Sequence, residues 1–136
     1  MSETTIANTA PLTPMLHAHR IMVVGVNEVD EMLLRYILEE LGAVMDIVNS
    51  GREALDQVQE RSIDMVIMNT QLRDQNALEL AKKLRQTQRK TLPIIGITAQ
   101  DAQSRSLFHG FNYIIHRPIE KQKVHRALRE HLSTID

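Results

Sequence analysis

Residues 20–42 read RIMVVGVNEVDEMLLRYILEELG, and this stretch decides the fold. Arg20-Ile-Met-Val-Val-Gly25 is a short, β-branched apolar run, the mark of a strand covered on both faces. After Asn27 the period changes. Met32, Leu33, Tyr36, Ile37, Glu40 and Leu41 fall at helical spacing, and Gly42 ends the helix. A buried strand followed at once by an amphipathic helix is one unit of a parallel α/β sheet.

The same unit recurs downstream. Residues 44–48 form an expected second strand, and Ser50 is placed to cap a helix running through Gln59, with Ala54, Leu55 and Val58 inward. Asp64-Met-Val-Ile-Met-Asn69 predicts a third buried strand. A polar loop then leads to a helix over 77–88, with Leu78, Ala81 and Leu84 on its inner face. Leu92-Pro-Ile-Ile-Gly-Ile-Thr98 predicts the fourth strand, 102–109 a short helix ending at Gly110, and 112–116 the fifth strand. Pro118 opens a last helix with Ile119, Val124, Leu128 and Leu132 as its buried stripe. Five strands alternating with five helices imply a doubly wound sheet joined by right-handed crossovers. Ligands and chemistry in such sheets sit at the carboxyl ends of the strands. Here those ends carry Gly25-Val26-Asn27, Asn69-Thr70, Thr98-Ala99 and Arg117-Pro118.

Upstream, residues 1–19 are small and polar with Pro11 and Pro14, and are expected to be a disordered leader before a domain over 20–134. Of the 136 residues 43% are hydrophobic, which is ample for one core, but only 3% are aromatic, so aliphatic side chains must fill it. Few aromatics and a net charge of -1 argue against nucleic acid and against an anionic membrane surface as partners. Without cysteine there is no disulfide, thiolate zinc site or cysteine nucleophile. No apolar run is long enough to span a bilayer, and the N-terminus lacks the pattern of a secretory signal, so a cytoplasmic location is expected. The six histidines form no ligand spacing, and no metal or other cofactor is expected. Lys82, Lys83, Arg85, Arg89 and Lys90 are expected as a solvated face complementing a helix dipole.

The order of these strand ends resembles the receiver domain of two-component response regulators, above all the kind attached to hybrid histidine kinases. The likeness runs from Arg20 to Leu132, with Met32-Leu33-Leu34, Gly51-Arg52-Glu53-Ala54-Leu55 and Gln71-Leu72 continuing it between strand ends. It implies a flavodoxin-like (βα)5 fold with sheet order 2-1-3-4-5. Thr98-Ala99 is the family's intact pair, and Arg117-Pro118 stands for its Lys-Pro. The departures bear on function. Gly25-Val26-Asn27 replaces an acidic pair followed by Asn, and Asn69 replaces the phospho-accepting aspartate. In the family those carboxylates hold magnesium, and the acceptor attacks phosphorus. An amide is a very poor nucleophile and a weak magnesium ligand. Arg73 stands in place of a usual Pro and Ala77 in place of a usual Gly. Ile114 takes an aromatic switch position with Tyr113 one place earlier, and the span 98–110 is about a helical turn short.

Loss of charge at Gly25, Val26 and Asn69 together reads as a pseudo-receiver, not an enzyme, working by phosphorylation-independent protein binding in a phosphorelay. Its partner would be a histidine kinase, another response regulator or a second copy. By the resemblance the surface lies over 102–132, with Tyr113, Lys121, Arg126 and Arg129 as candidates. Two alternatives stay open. One is a sensor of a cyclic dinucleotide or other anion, bound by Arg117 and the basic stretch. The other is an active aspartyl-phosphate enzyme using a displaced carboxylate such as Asp74. Asn69 reads either as a hydrogen-bonding hub or as a neutral remnant. Thr98 reads as a gate or as a hydroxyl satisfied by backbone. Arg117 reads as an anion ligand, or as the partner of a surface acid or of the Asn69 carbonyl.

Overall fold

The computed structural model describes residues 19–103 and 109–132. Its strands are β1 (Arg20–Val24), β2 (Val44–Val48), β3 (Met65–Asn69), β4 (Ile94–Thr98) and β5 (Tyr113–His116). They pair in parallel in the order β2-β1-β3-β4-β5, as expected. Among the described residues the helices are α1 (Glu28–Glu40), α2 (Gly51–Glu60), α3 (Ala77–Thr87) and α4 (Lys121–His131). The helix expected over 102–109 lies mostly outside the described residues, and Ala102 and Gln103 themselves are not helical. No described helix is long and apolar enough to cross a membrane.

The period-two alternation of each strand feeds two cores. Ile21, Val23, Ile67, Ile97 and Ile115 face α1 and α4, where Leu34, Leu38, Val124 and Leu128 meet them. Met22, Val24, Val66, Met68 and Ile94 face α2 and α3, against Val58, Leu80 and Leu84. Helix starts follow local chemistry. The side chains of Asn27, Ser50 and Asn76 accept from the amides of Asp30, Glu53 and Glu79 and so cap α1, α2 and α3. Pro118 does not open the last helix. Arg117–Pro118 is a cis peptide, Glu120 is the N-cap, and α4 begins at Lys121 with no side-chain cap.

Three faces differ from expectation. On α1 the buried residues are Asp30, Leu34, Ile37 and Leu38, with Leu41 beyond, so of the residues noted at helical spacing only Ile37 and Leu41 face the core. Met32, Leu33 and Tyr36, together with Val29, are exposed instead. The helix carries two apolar stripes, and periodicity alone does not tell which one meets the sheet. On α3, Ala77 and Leu80 join Ala81 and Leu84 inside, while Leu78 is only half-buried. The basic stretch ending α3 is only partly solvated. Arg85 donates to the carbonyls of Leu92 and Gly110 and to Asn112 Oδ1, at 3.1, 2.8 and 2.8 Å. Arg89 donates to the Ile63 and Asp64 carbonyls. Their long stems let them satisfy strand-start carbonyls that the loops leave open.

Candidate functional site

The parallel register brings the carboxyl ends of β1, β3, β4 and β5 to one edge of the sheet. β1 stops because Gly25 turns into the left-handed region at φ 67°, with its amide still on the Val48 carbonyl at 3.0 Å. A β-carbon at position 25 would sit 2.6 Å from Leu72 Cδ2. The place where a strand-end side chain would project is thus filled by Leu72, an apolar residue in the polar loop after β3, and the backbone there disfavours any side chain.

Asn69, at the end of β3, is half-buried and used on both sides. Its Nδ2 donates to the Gly25 carbonyl at 3.0 Å, and its Oδ1 accepts from the Gln71 amide at 2.9 Å. It therefore ties β1 to β3 and shapes the loop that delivers Leu72. Asn27 caps α1 through Oδ1 at 2.8 Å. Gly25, Val26, Asn27, Asn49, Asn69, Gln71, Leu72 and Arg73 enclose a hollow of about 410 Å³.

Arg117 does not share that hollow. Its Nε donates to Asp30 Oδ2 at 2.9 Å, and the Asp30 side chain is only 6% exposed. The partner is neither a surface acid nor the Asn69 carbonyl. It is a buried carboxylate one turn into α1, three residues after the N-cap. Asp30 was missed in the sequence; an acid at the third helical position after an Asn cap, with a charged residue after the fifth strand, is the signal that marks it. The pair closes one side of a second hollow of about 510 Å³, formed with Val29, Leu33, Gln100, Pro118 and Ile119. Thr98 is buried, and its carbonyl accepts from the Arg117 amide at 2.9 Å; Ala99 is exposed. Position 117 is thereby held next to β4 while its charge is directed at α1.

Asp74, the displaced carboxylate, lies outside the first hollow. Its two oxygens accept from the amides of Gly51 and Arg52, each at 3.1 Å. The Gly51 amide in particular holds its carboxyl below the ordinary value of 3.8. It serves the start of α2. Of the other candidates, Tyr113 is half-buried and tilted against His131, ring centres 5.8 Å apart. Lys121 pairs with Glu40 at 3.0 Å and lies 5.6 Å from the centre of the Tyr36 ring. Arg126 and Arg129 are exposed on α4.

Magnesium, which the resemblance implies, needs hard oxygen ligands with at least one carboxylate among them. The residues around Asn69 supply carbonyls and amides, and both sides of the Asn69 amide are already engaged. The donor set does not fit the ion. Among the described residues no three His, Asp or Glu side chains gather as metal ligands would.

Comparison with known proteins agrees with this architecture. Residues 21–129 match the response regulator receiver domain model. The chain is 34% identical over 128 residues to the phosphate regulon transcriptional regulatory protein PhoB of Rhizobium meliloti, covering 85% of this chain and 56% of PhoB. It is 26% identical over 112 residues to the autoinducer 2 sensor kinase/phosphatase LuxQ of Vibrio vulnificus, covering 80% of this chain and 13% of LuxQ. The chain thus spans only part of the relatives it matches. A response regulator from Chloroflexus aurantiacus superposes with a TM-score of 0.78 at 28% identity, covering 85% of this chain and 98% of that one. The receiver domain of sensor histidine kinase PA1611 from Pseudomonas aeruginosa, solved with a magnesium ion in its active-site cleft, gives 0.75 at 23%, covering 85% and 98%. Sheet order, strand-end residues and these matches agree that the chain belongs to the response regulator receiver domain family.

Proposed function

We propose that this receiver domain acts by binding a protein partner and does so without phosphoryl transfer, as a non-enzymatic module of the cytoplasm. The observation that carries the reading is the Asn69 amide bound between the Gly25 carbonyl and the Gln71 amide, with Leu72 against Gly25. A nucleophile and a metal carboxylate are both replaced by contacts that hold the loops in one arrangement. A module without a chemical input presents a fixed or partner-selected shape. The relatives include sensor kinases, so a histidine kinase or another response regulator is the natural partner class, with a second copy as the alternative.

The surface extends beyond the charged side of α4. Val29, Met32, Leu33 and Tyr36 follow the i, i+3, i+4, i+7 rule along α1 and are 65%, 70%, 39% and 64% exposed. The second hollow opens beside them, with Pro118 and Ile119. An apolar stripe next to a notch with Val29, Leu33, Pro118 and Ile119 on its apolar side suits a partner helix that lays anchors into it. The phosphorylation-independent reading is tested by titrating magnesium while following backbone amide resonances. No shift is expected at Gly25, Asn69 or Gln71; saturable shifts centred there overturn the reading.

A further inference from the structure

We propose that the cavity along α3 binds a nucleotide, a nucleoside diphosphate in its chemistry, on the cations of the basic stretch. At about 800 Å³ it is larger than either hollow at the carboxyl edge and has the size of a small-ligand site. Its basic part lies at the amino ends of β3, β4 and β5, away from Asn69, so it stands apart from the reading of that residue. Arg117 takes no part, being held on Asp30. Lys82, Arg85, Arg89 and Lys90 line the cavity, and Glu79 is the one carboxylate among the described residues that do so. The whole chain carries a formal net charge of -1, so this concentration of positive charge is local. A cleft lined mostly by one sign of charge focuses the field and draws in the opposite sign. The half-charge at the carboxyl end of α3 does not offset four cations.

Two of the four cations are fixed in place by neutral groups. Arg85 is half-buried and bonds the Leu92 and Gly110 carbonyls and Asn112 Oδ1, while Arg89 bonds the Ile63 and Asp64 carbonyls. These acceptors hold the guanidinium groups without cancelling their charge. A guanidinium already held loses little freedom when it takes phosphate oxygens, and such charge-assisted bonds are the strong ones. Lys82 and Lys90 are exposed and add ammonium groups on flexible stems. The other end of the cavity differs. Leu78 is half-buried, and its side chain lies where a β-carbon at Gly110 would have to go, which makes an apolar wall. Glu79, next to it, repels phosphate but accepts from a nucleoside hydroxyl or amine. Leu78 and Arg85 stand two turns apart on α3, about 10 Å. That separation lets base and ribose lie by Leu78 and Glu79 while the diphosphate lies on Arg85, Arg89 and Lys90.

The test is an amide-resonance titration of the chain with ADP and with GDP, without magnesium and at matched ionic strength. Adenosine and pyrophosphate form the arms that separate the two halves of the ligand. Saturable shifts centred on residues 78–90 and 109–110 are expected with at least one nucleotide, weakened about tenfold by Lys82→Glu with Lys90→Glu. Both lysines are exposed, so that variant should melt as the native chain does. Lys83→Glu, one residue along but outside the lining, should leave the affinity within about twofold. Four results overturn the proposal: no shifts with either nucleotide, binding that Lys82→Glu with Lys90→Glu does not weaken, binding that Lys83→Glu weakens equally, or adenosine or pyrophosphate binding as tightly as the nucleotide. Polyglutamate that takes the same residues as tightly as the nucleotide would mark an acidic protein contact and overturn it as well.

Discussion

The Asn69 amide donates to the Gly25 carbonyl at 3.0 Å and accepts from the Gln71 amide at 2.9 Å. A carboxylate can keep the second bond but not the first. Asn69→Asp would set an anionic oxygen against a carbonyl oxygen, costing about 1–3 kcal/mol at pH 7 by the loss of a half-buried donor. The protonated acid restores the donor, so the folded chain raises the new carboxyl's pKa. Relative to the native chain, the penalty is absent below the unfolded value of about 3.9 and grows as pH rises through the raised folded pKa. Denaturant melts of both chains at pH 4 and pH 7 check this; an equal difference at both pH values contradicts it. Asp74 works in the opposite sense. Its carboxyl is held low by the Gly51 amide, so its contribution is present above the unfolded value, 3.8, and is lost as pH falls through the lower folded pKa. Asp74→Asn should lower the melting temperature at neutral pH and flatten the acid limb of the stability profile.

At the scale of elements, α1 has two apolar faces with different work. Leu34 is fully buried against the sheet, so Leu34→Ala should cost about 2–5 kcal/mol in a denaturant melt. Met32 and Tyr36 are 70% and 64% exposed, so Met32→Glu with Tyr36→Ser should leave stability within about 0.5 kcal/mol. That double change should nevertheless abolish binding in a pull-down with a partner kinase or in a sedimentation assay of self-association. Intact binding would place the interface on another face, with α4 next. The end of α3 behaves as a clamp. Burial pulls the Arg85 guanidinium below its ordinary pKa, and its three acceptors are neutral. Asn112 Oδ1 also accepts from the Ile94 amide at 2.8 Å, joining α3, β4 and β5 through one side chain. Arg85→Ala should cost about 2 kcal/mol, and combined with Asn112→Ala it should cost less than the sum of the two.

Across the whole molecule, what was legible in the sequence follows from period and punctuation. The β-branched runs at 20–24, 65–69 and 94–98, each followed by a helical period, fix a parallel sheet. The resemblance to receiver domains implies the order of its strands as well. The strand-end residues were legible for the same reason, since a parallel sheet puts every carboxyl end on one edge. Side-chain direction was not legible. Arg117 turns to Asp30 because that carboxylate is buried and otherwise unpaired, a fact that belongs to the packing of α1 and not to any local pattern. Leu72 takes the place where a side chain at position 25 would start for a similar reason: an apolar loop residue finds the space that a glycine in the left-handed region leaves. Gly25, Val26 and Asn69 leave this edge without a carboxylate, and the two placements settle Arg117 and Leu72 around that loss. The most direct measurement of that claim is the intact mass of the chain after incubation with acetyl phosphate and magnesium. The native chain should keep its mass, and so should Asn69→Asp, because a metal still lacks a carboxylate from position 25 or 26. A stoichiometric gain of one phosphoryl group on the native chain, stable in acid and removed by base, would contradict the account.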